Sequence, residues 1–489
     1  MPFLAFLMLL AADDPGDALA RELKKVVDVF VTVDREAADP VSPDAAFYQG
    51  AIPGMLRSLD PHSVFFDPGQ FEQLKQMEKS ERKGFGSIVS VLPGRVIVLQ
   101  TMTGTPSAKA GLSAGDEILA INGIALARLE FEQLVQLLTE ARQQQAVLDV
   151  RRPGNARLFR LTLTPELVDS PSVDRAFMLT RGVAYLRIAS FEGPTGKLVK
   201  ETIQKLGGES LKGLVLDLRN NPGGVAQAAA ETASLFLEPE QVIFSIKGRN
   251  TKAEEVRVPK ISKPYTFPLA VLVNGKSASA SEIVTGALQD HDRATIVGEP
   301  SYGKGLVQQV YTLSSNTGVA LTTAYYYTPS GRSIQKPLHG GHLDITTSTP
   351  QGSFRTDSGR EVRGGGGIQP DEVIFQPAVS RLQMVLDASG ALTTFAGEYV
   401  QSHEIKEGFE VTPAMLDELQ VFLSARDIRP GVGDWLSHRE WIQSRLKQEI
   451  LNLKFGVAKG DEVEMQRDPV VQRALKVVGG AGRIQRPAF

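Results

Sequence analysis

The sequence predicts an α/β core built on a mainly parallel sheet with covering helices. A compact β-rich domain is inserted before that core, and helical regions flank both at the N- and C-termini. Three observations carry this reading. Between about 165 and 380, strand-like and helix-like segments alternate, the pattern of a parallel sheet covered by helices. Between Gly84 and about Thr164, short β-rich runs dominate instead. Near the N-terminus apolar residues recur at helical spacing, and from about Pro377 the chain again reads as mostly helical. A chain of 489 residues accommodates about three domains at roughly 100–200 residues each. The expected divisions are 1–12, 18–82, 83–165, 166–376 and 377–489.

In chain order, Pro2 to Ala12 form an apolar run that ends in small residues before Asp13 and Asp14. Its length suits the core of a secretory signal, although the positive segment that normally precedes one is missing. Export to the periplasm or cell envelope is the favoured reading. An ordinary N-terminal helix, and with it a cytoplasmic protein, is the alternative. Residues 18–34 place Leu19, Leu23, Val26, Val27 and Phe30 at helical spacing around Lys24 and Lys25. A second helical stretch at 45–59 is interrupted at Pro53, and a polar helix follows near 70–82. In the β-rich domain 96–100, 117–121 and 147–150 read as strands, Asn122-Gly123 as a tight turn, and 131–142 as a helix. In the core 183–190, 214–218, 269–273, 294–297 and 319–327 read as strands, with helices at 225–237 and 280–289. From Pro377 onward the chain is helical and mixed in charge. The stretch 446–459 reads as a solvated helix face, and the C-terminal helices leave self-association, adaptor docking or a covering role open.

Composition excludes several functions. Fifty-three basic and 56 acidic side chains leave a net charge of −3, a balance that speaks against nucleic acid as a partner, because its phosphates demand clustered Lys and Arg. The absence of cysteine rules out disulfides, thiolate zinc sites and a Cys nucleophile. The six histidines form no metal-ligand motif, and neither a metal nor a cofactor is implied.

The chemistry is concentrated in 271–304, where an apolar strand runs through a small-residue loop directly into a helix. A serine there meets free backbone N–H groups and the positive end of the helix dipole, which favour the negative charge of a tetrahedral intermediate. Ser277, Ser279 and Ser281 are equally good helix caps, so spacing alone leaves both readings open. A nucleophilic serine needs a base. His291, between Asp290 and Asp292, is one candidate, although a polar loop histidine is the commoner explanation. Lys304, between Gly303 and Gly305, is the other.

These motifs give the chain a family resemblance. It is similar to the carboxy-terminal processing proteases, PDZ-containing endopeptidases that use a Ser/Lys dyad. The resemblance spans about residues 20–375 and rests on Ser58-Leu59-Asp60-Pro61-His62-Ser63, the Gly84–Gly86 loop, Ala110-Gly111-Leu112, Gly115-Asp116, Ile121-Asn122-Gly123, Asp217 to Gly224 (DLRNNPGG), Ser277 to Ile283 (SASASEI) and Gly303-Lys304-Gly305. Each motif is weak alone and specific in this order. By position the resemblance implies Ser279 as nucleophile, Lys304 as base and Gln308 as the residue that holds the lysine. It gives Asp290 a structural role and makes the amides of Ala280 and of Gly223 or Gly224 the oxyanion donors. The β-rich domain becomes a PDZ-like module that receives apolar C-terminal tails of protein or peptide substrates at Gly84, Phe85, Gly86 and Ile88. A lysine titrates ordinarily near ~10.4, so a base of this kind works only where shelter from water and from carboxylates favours the neutral amine. Phe85 stands where the family often has isoleucine, and 338–364 reads as an insertion. A catalytically silent PDZ scaffold and a hydrolase based on His291 remain the alternatives.

Overall fold

The computed structural model describes residues 15–79, 83–153, 155, 157–168, 171–339, 342–343 and 351–480. The apolar run Pro2 to Ala12 lies outside them, as do the last residues of the predicted 70–82 helix and much of the 338–364 insertion. Among the described residues no helix is long and apolar enough to cross a membrane. The chain divides into two units, Met1–Glu78 with Gln308–Thr323 and Leu338–Asp344, and Lys79–Val307 with Ala324–Pro337 and Ile345–Phe489.

The first unit holds the predicted amphipathic helix, Pro15–Glu36. Leu19, Leu23, Val26 and Val27 on it are exposed, while Phe30 packs against Phe47. The 45–59 stretch is a wide-turn helix, Ala45–Ala51, continued by Ile52–Arg57. Pro53 sits where the wide-turn helix passes into that second piece. The Asp60-Pro61-His62-Ser63 motif is a turn closed on its own carboxylate. Asp60 Oδ1 accepts from the amides of His62 and Ser63, and Oδ2 accepts from Ser63 Oγ. The short strand Val64–Phe66 then pairs antiparallel with the start of strand Gly318–Tyr327.

In the second unit, the β-rich domain is an antiparallel sheet in the order 87–92, 95–101, 117–121, 146–151, 158–163. Helix Phe131–Ala141 contributes Leu134 to its core. Strand Ser87–Leu92 lies at one edge of that sheet.

The core sheet has six strands: β1 (Val173–Thr180), β2 (Val183–Ile188), β3 (Gly213–Asp217), β4 (Leu269–Val273), β5 (Thr295–Gly298) and β6 (Glu372–Val373), paired in that order. β1 and β2 form an antiparallel hairpin, and every later pairing is parallel. Every residue of β3 and β4 is buried, as expected of strands covered on both faces. Strand alternation sends Leu214 and Leu216 to one face and Val215 to the other. The first face packs against helices α1 (Thr195–Lys205), α2 (Ala226–Ala233) and α3 (Ala280–Asp290).

After the core come α4 (Arg381–Ser389), α5 (Ala391–Ser402), α6 (Pro413–Ser424), α7 (Val432–Phe455), α8 (Val457–Met465) and α9 (Pro469–Val478). Helices α4 to α7 share a hydrophobic centre of their own. Helix α9 returns to the core sheet, where Val470, Val471, Ala474 and Val478 pack on Tyr185, Val215, Ala270, Leu272 and Val297. The C-terminal region therefore supplies the second covering layer of the sheet. The expectation of a solvated face at 446–459 is corrected by the burial of Leu446, Glu449, Ile450, Leu451 and Asn452. α7 is covered by α5 on one side and α8 on another. Its charges survive by pairing, Glu449 with Arg445 and Lys447 with Glu410.

Candidate active site

The site begins where β3 and β4 end. β3 leads into Leu218 to Gly224, β4 into Asn274 to Ser279, and side-chain bonds weld the two loops together. Asn220 and Asn274 exchange hydrogen bonds, Asn220 N to Asn274 Oδ1 and Asn274 Nδ2 to Asn220 Oδ1, each 3.0 Å. Asn221 donates to the Ile188 carbonyl at 2.8 Å, and its own carbonyl accepts from Ala278 N and Ser281 Oγ.

The three serines separate here. Ser277 and Ser281 are fully buried, their hydroxyls donating to the carbonyls of Leu218 and Asn221. They are structural. Ser279 is half-exposed and begins α3 with φ +54° and ψ −113°, a conformation that non-glycine residues adopt at a cost of order ~1–3 kcal/mol. Gly223 is pressed against it: a Cβ there would lie 2.8 Å from Ser279 Cβ and 3.0 Å from Ala280 N. Ala280 N opens the helix and so has no intrahelical partner. The amide of Gly223 donates to Asn221 Oδ1 at 2.8 Å. Gly224, φ +140°, lies so close to Phe191 O that no Cβ fits.

Lys304 reaches the same place from the segment after β5. Its glycine neighbours are required by packing, since a Cβ on Gly303 would enter the Lys336 side chain and one on Gly305 would lie 3.0 Å from Gln335 N. Lys304 is half-buried, and among the described residues no carboxylate forms an ion pair with it.

The residue that unites these parts is Glu282, which the motif reading did not single out. It is fully buried on the first turn of α3. Its Oε2 accepts from Ser279 N at 2.8 Å and from Lys304 N at 2.9 Å. Two amides bound to one oxygen at those lengths can be no more than their 5.7 Å sum apart. Its Oε1 accepts from Gly303 N at 2.7 Å and from Ser301 Oγ. Burial pushes the Glu282 carboxyl up from its ordinary value, and the hydrogen bonds from Ser301, Lys304, Gly303 and Ser279 oppose that rise. The sequence did carry a signal, because Ser279-x-x-Glu282 has the spacing of a helix capping box.

The remaining candidates fall elsewhere. Asp290 is buried and paired with the equally buried Arg332 at 2.7 Å, in keeping with a structural role. His291 closes the opposite end of α3 from Ser279, roughly 18 Å away at 1.5 Å per residue, and binds Asp357 and the Val242 carbonyl. It is out of reach as a base for that serine. Gln308 belongs to the first unit, where its amide donates to His62 O at 2.7 Å. In the β-rich domain, the carbonyls of Phe85 and Gly86 accept from Ser107 N and Met102 N, both at 2.8 Å. Gly86, φ +70°, packs where any Cβ would strike Thr105. Gly84 pairs with Glu166, and Ile88 lies opposite Gln100.

Residues 182–347 match peptidase family S41 and residues 97–152 match the PDZ domain. The carboxy-terminal-processing protease of Bartonella bacilliformis is 35% identical over 321 residues, covering 64% of this chain and 73% of that protein. The carboxyl-terminal-processing protease of Synechocystis sp. is 30% identical over 364 residues, 72% of this chain and 78% of that one. The solved photosystem II D1 C-terminal processing protease, 26% identical, overlays with a TM-score of 0.42 over 72% of this chain and 93% of its own. With two such sequence relatives covered over more than two thirds of their length, the chain belongs to the carboxy-terminal processing proteases of peptidase family S41 and carries a PDZ domain.

Proposed function

We propose that the protein is a serine endopeptidase that cuts proteins near their C-termini, with Ser279 as nucleophile and Lys304 as general base. The observation that carries this reading is the single Glu282 oxygen holding the amides of both residues. Ser279 Oγ adds to the scissile carbonyl carbon while its proton passes to the Lys304 amine. The carbonyl oxygen takes up the negative charge beside the Ala280 amide, and the Gly223–Gly224 turn supplies the second donor. Gly224 is favoured for that task, because Asn221 Oδ1 already engages the Gly223 amide. When the C–N bond breaks, the leaving amine takes the proton from Lys304, and water then releases the acyl group by the same steps. Gln308 enters as the residue orienting Lys304 only through its place four positions further along the chain.

The PDZ domain selects the substrate in this reading. A C-terminal tail adds as a strand beside the edge strand Ser87–Leu92. The two anchored carbonyls leave the Phe85 and Gly86 amides without a described partner, suited to a terminal carboxylate. Gly84 starts that loop, and Phe85 and Ile88 flank the last apolar side chain. Export to the cell envelope rests on Pro2 to Ala12 alone.

The test is product analysis by mass spectrometry on unfolded peptides that differ in their last residues and in a free or amidated C-terminus. Wild type should cleave acids with apolar tails fastest. Ser279→Ala and Lys304→Arg should each lose about a thousandfold or more in turnover, since arginine does not release its proton in proteins. Turnover retained by Lys304→Arg would overturn the base. A wild type that binds tails without cutting any would favour a silent scaffold.

A further inference from the structure

The C-terminal region beyond residue 377 lies outside both family matches, yet residues 457–468 touch the β-rich domain, strand β1 and the loop after β3. At one end Val457 N, opening α8, donates to Gln100 Oε1 at 2.9 Å. Gly456, φ +90°, lies so close that a Cβ would stand 2.9 Å from the same oxygen. Gln100 is the residue opposite Ile88 in the strand pair bearing the free PDZ edge. One turn into α8, Asp461 pairs with Arg175 on β1. At the other end Asp468 caps α9, its Oδ1 accepting from Val470 N and Val471 N. Its Oδ2 accepts from Arg219 at 2.6 Å.

Arg219 starts the turn that ends in Gly223 and Gly224. Its guanidinium also grips Asp217 at the end of β3, through Nε at 3.0 Å and a second nitrogen at 2.6 Å. The pair is nearly out of solvent, with Arg219 12% and Asp468 11% exposed at the side chain. A planar guanidinium held by two carboxylates on different elements has its orientation fixed. The backbone bearing it is fixed with it.

We infer that Asp468 is a positioning residue for the proposed reaction, and that α8 is a brace running from the PDZ strand pair to the loop that carries the oxyanion donors. This inference rests on the dyad reading above. Asp468 touches no reacting atom and acts through Arg219. Without its charge Arg219 pivots on Asp217 alone and the glycine turn loses a fixed point. Oxyanion donors reward placement within a fraction of an ångström. The far end of the brace makes the loop sensitive to the state of the PDZ edge.

The experiment is steady-state kinetics of the full chain on one peptide with a free apolar C-terminus and on its amidated twin. Asp468→Asn keeps the helix cap, since asparagine caps as well as aspartate, but removes the charge. It should lower kcat about tenfold or more on both peptides, with KM within about twofold and the melting temperature little changed. Asp468→Glu, which keeps the carboxylate, should recover part of that loss. Gln100→Ala should leave turnover of the amide unchanged and shrink the acid-to-amide ratio of kcat. Wild-type kcat in Asp468→Asn, or a loss wholly in KM, overturns the positioning role. An unchanged ratio in Gln100→Ala overturns the brace even if Asp468→Asn proves too unstable to assay. A wild type inert on both peptides would instead sink the protease reading.

Discussion

The two ends of helix α3 are built from the same kinds of residue and do opposite work. At its start, one buried carboxylate, Glu282, gathers four hydrogen bonds from backbone and serine and leaves Ser279 and Lys304 partly open. At its end, Asp290, His291 and Asp292 are consumed by partners: Arg332 at 2.7 Å, Asp357 at 2.7 Å and Arg360 at 3.1 Å. A Ser–His–Asp reading is tempting in the sequence because helix ends concentrate polar residues. The structure separates them by the length of the helix. Polar groups at a helix start meet unpaired N–H donors and can host developing negative charge, whereas Asp290 and Asp292 at this end accept from Arg332, Arg360 and the amides of Ser330 and Ser358 and so tie down neighbouring segments.

Substitutions at the closed end should therefore cost stability, and those at the open end should cost turnover. The largest effect is expected for Asp290→Ala. It strands the fully buried Arg332 charge, and breaking such a pair costs about 3–5 kcal/mol. Denaturant unfolding should show it, and an unchanged midpoint would erase the contrast between the two ends. His291→Ala should cost roughly 1 kcal/mol for its lost hydrogen bonds while leaving kcat on a tail peptide within about twofold. A collapse of turnover with normal stability would reinstate histidine as the base.

The smallest effect is a pH dependence at the open end. Because burial raises Glu282, the folded state holds that proton more firmly than the unfolded chain does. Its contribution to stability is complete below the unfolded carboxylate range, near ~4.3, and is lost as pH rises through the raised folded value. Glu282→Gln cannot titrate. The melting-temperature advantage of wild type over Glu282→Gln should shrink between pH 4.5 and pH 8, and a gap that widens would reverse the assigned direction.

Much of the molecule was legible in the residues themselves. The run 269–273 reads as a buried strand because covered parallel strands are apolar throughout, 214–218 reads as a strand, and the strands lie at Leu269–Val273 and Gly213–Asp217. Lys304 stands between Gly303 and Gly305 in the sequence, and both glycines sit close to neighbours, Gly303 to the Lys336 side chain and Gly305 to Gln335. Other readings failed for a physical reason. The 446–459 segment looked solvated because charge recurs along it, but a helix flanked on two sides by other helices hides charged residues by pairing them. Glu282 could be read as a helix cap from its spacing. That it also binds Gly303 and Lys304 depends on a segment about twenty residues away folding back onto the first turn.

By itself the sequence determined the alternation of strand and helix in the core and the β-rich character of the domain before it, because hydrophobic period and turn chemistry are local properties. Only the tertiary structure decided which of three serines is partly exposed, how far His291 lies from Ser279, and that the C-terminal helices cover the sheet and reach Arg219. Those outcomes depend on contacts between residues distant in the chain. Each is fixed by where buried polar groups find partners once the core has excluded water.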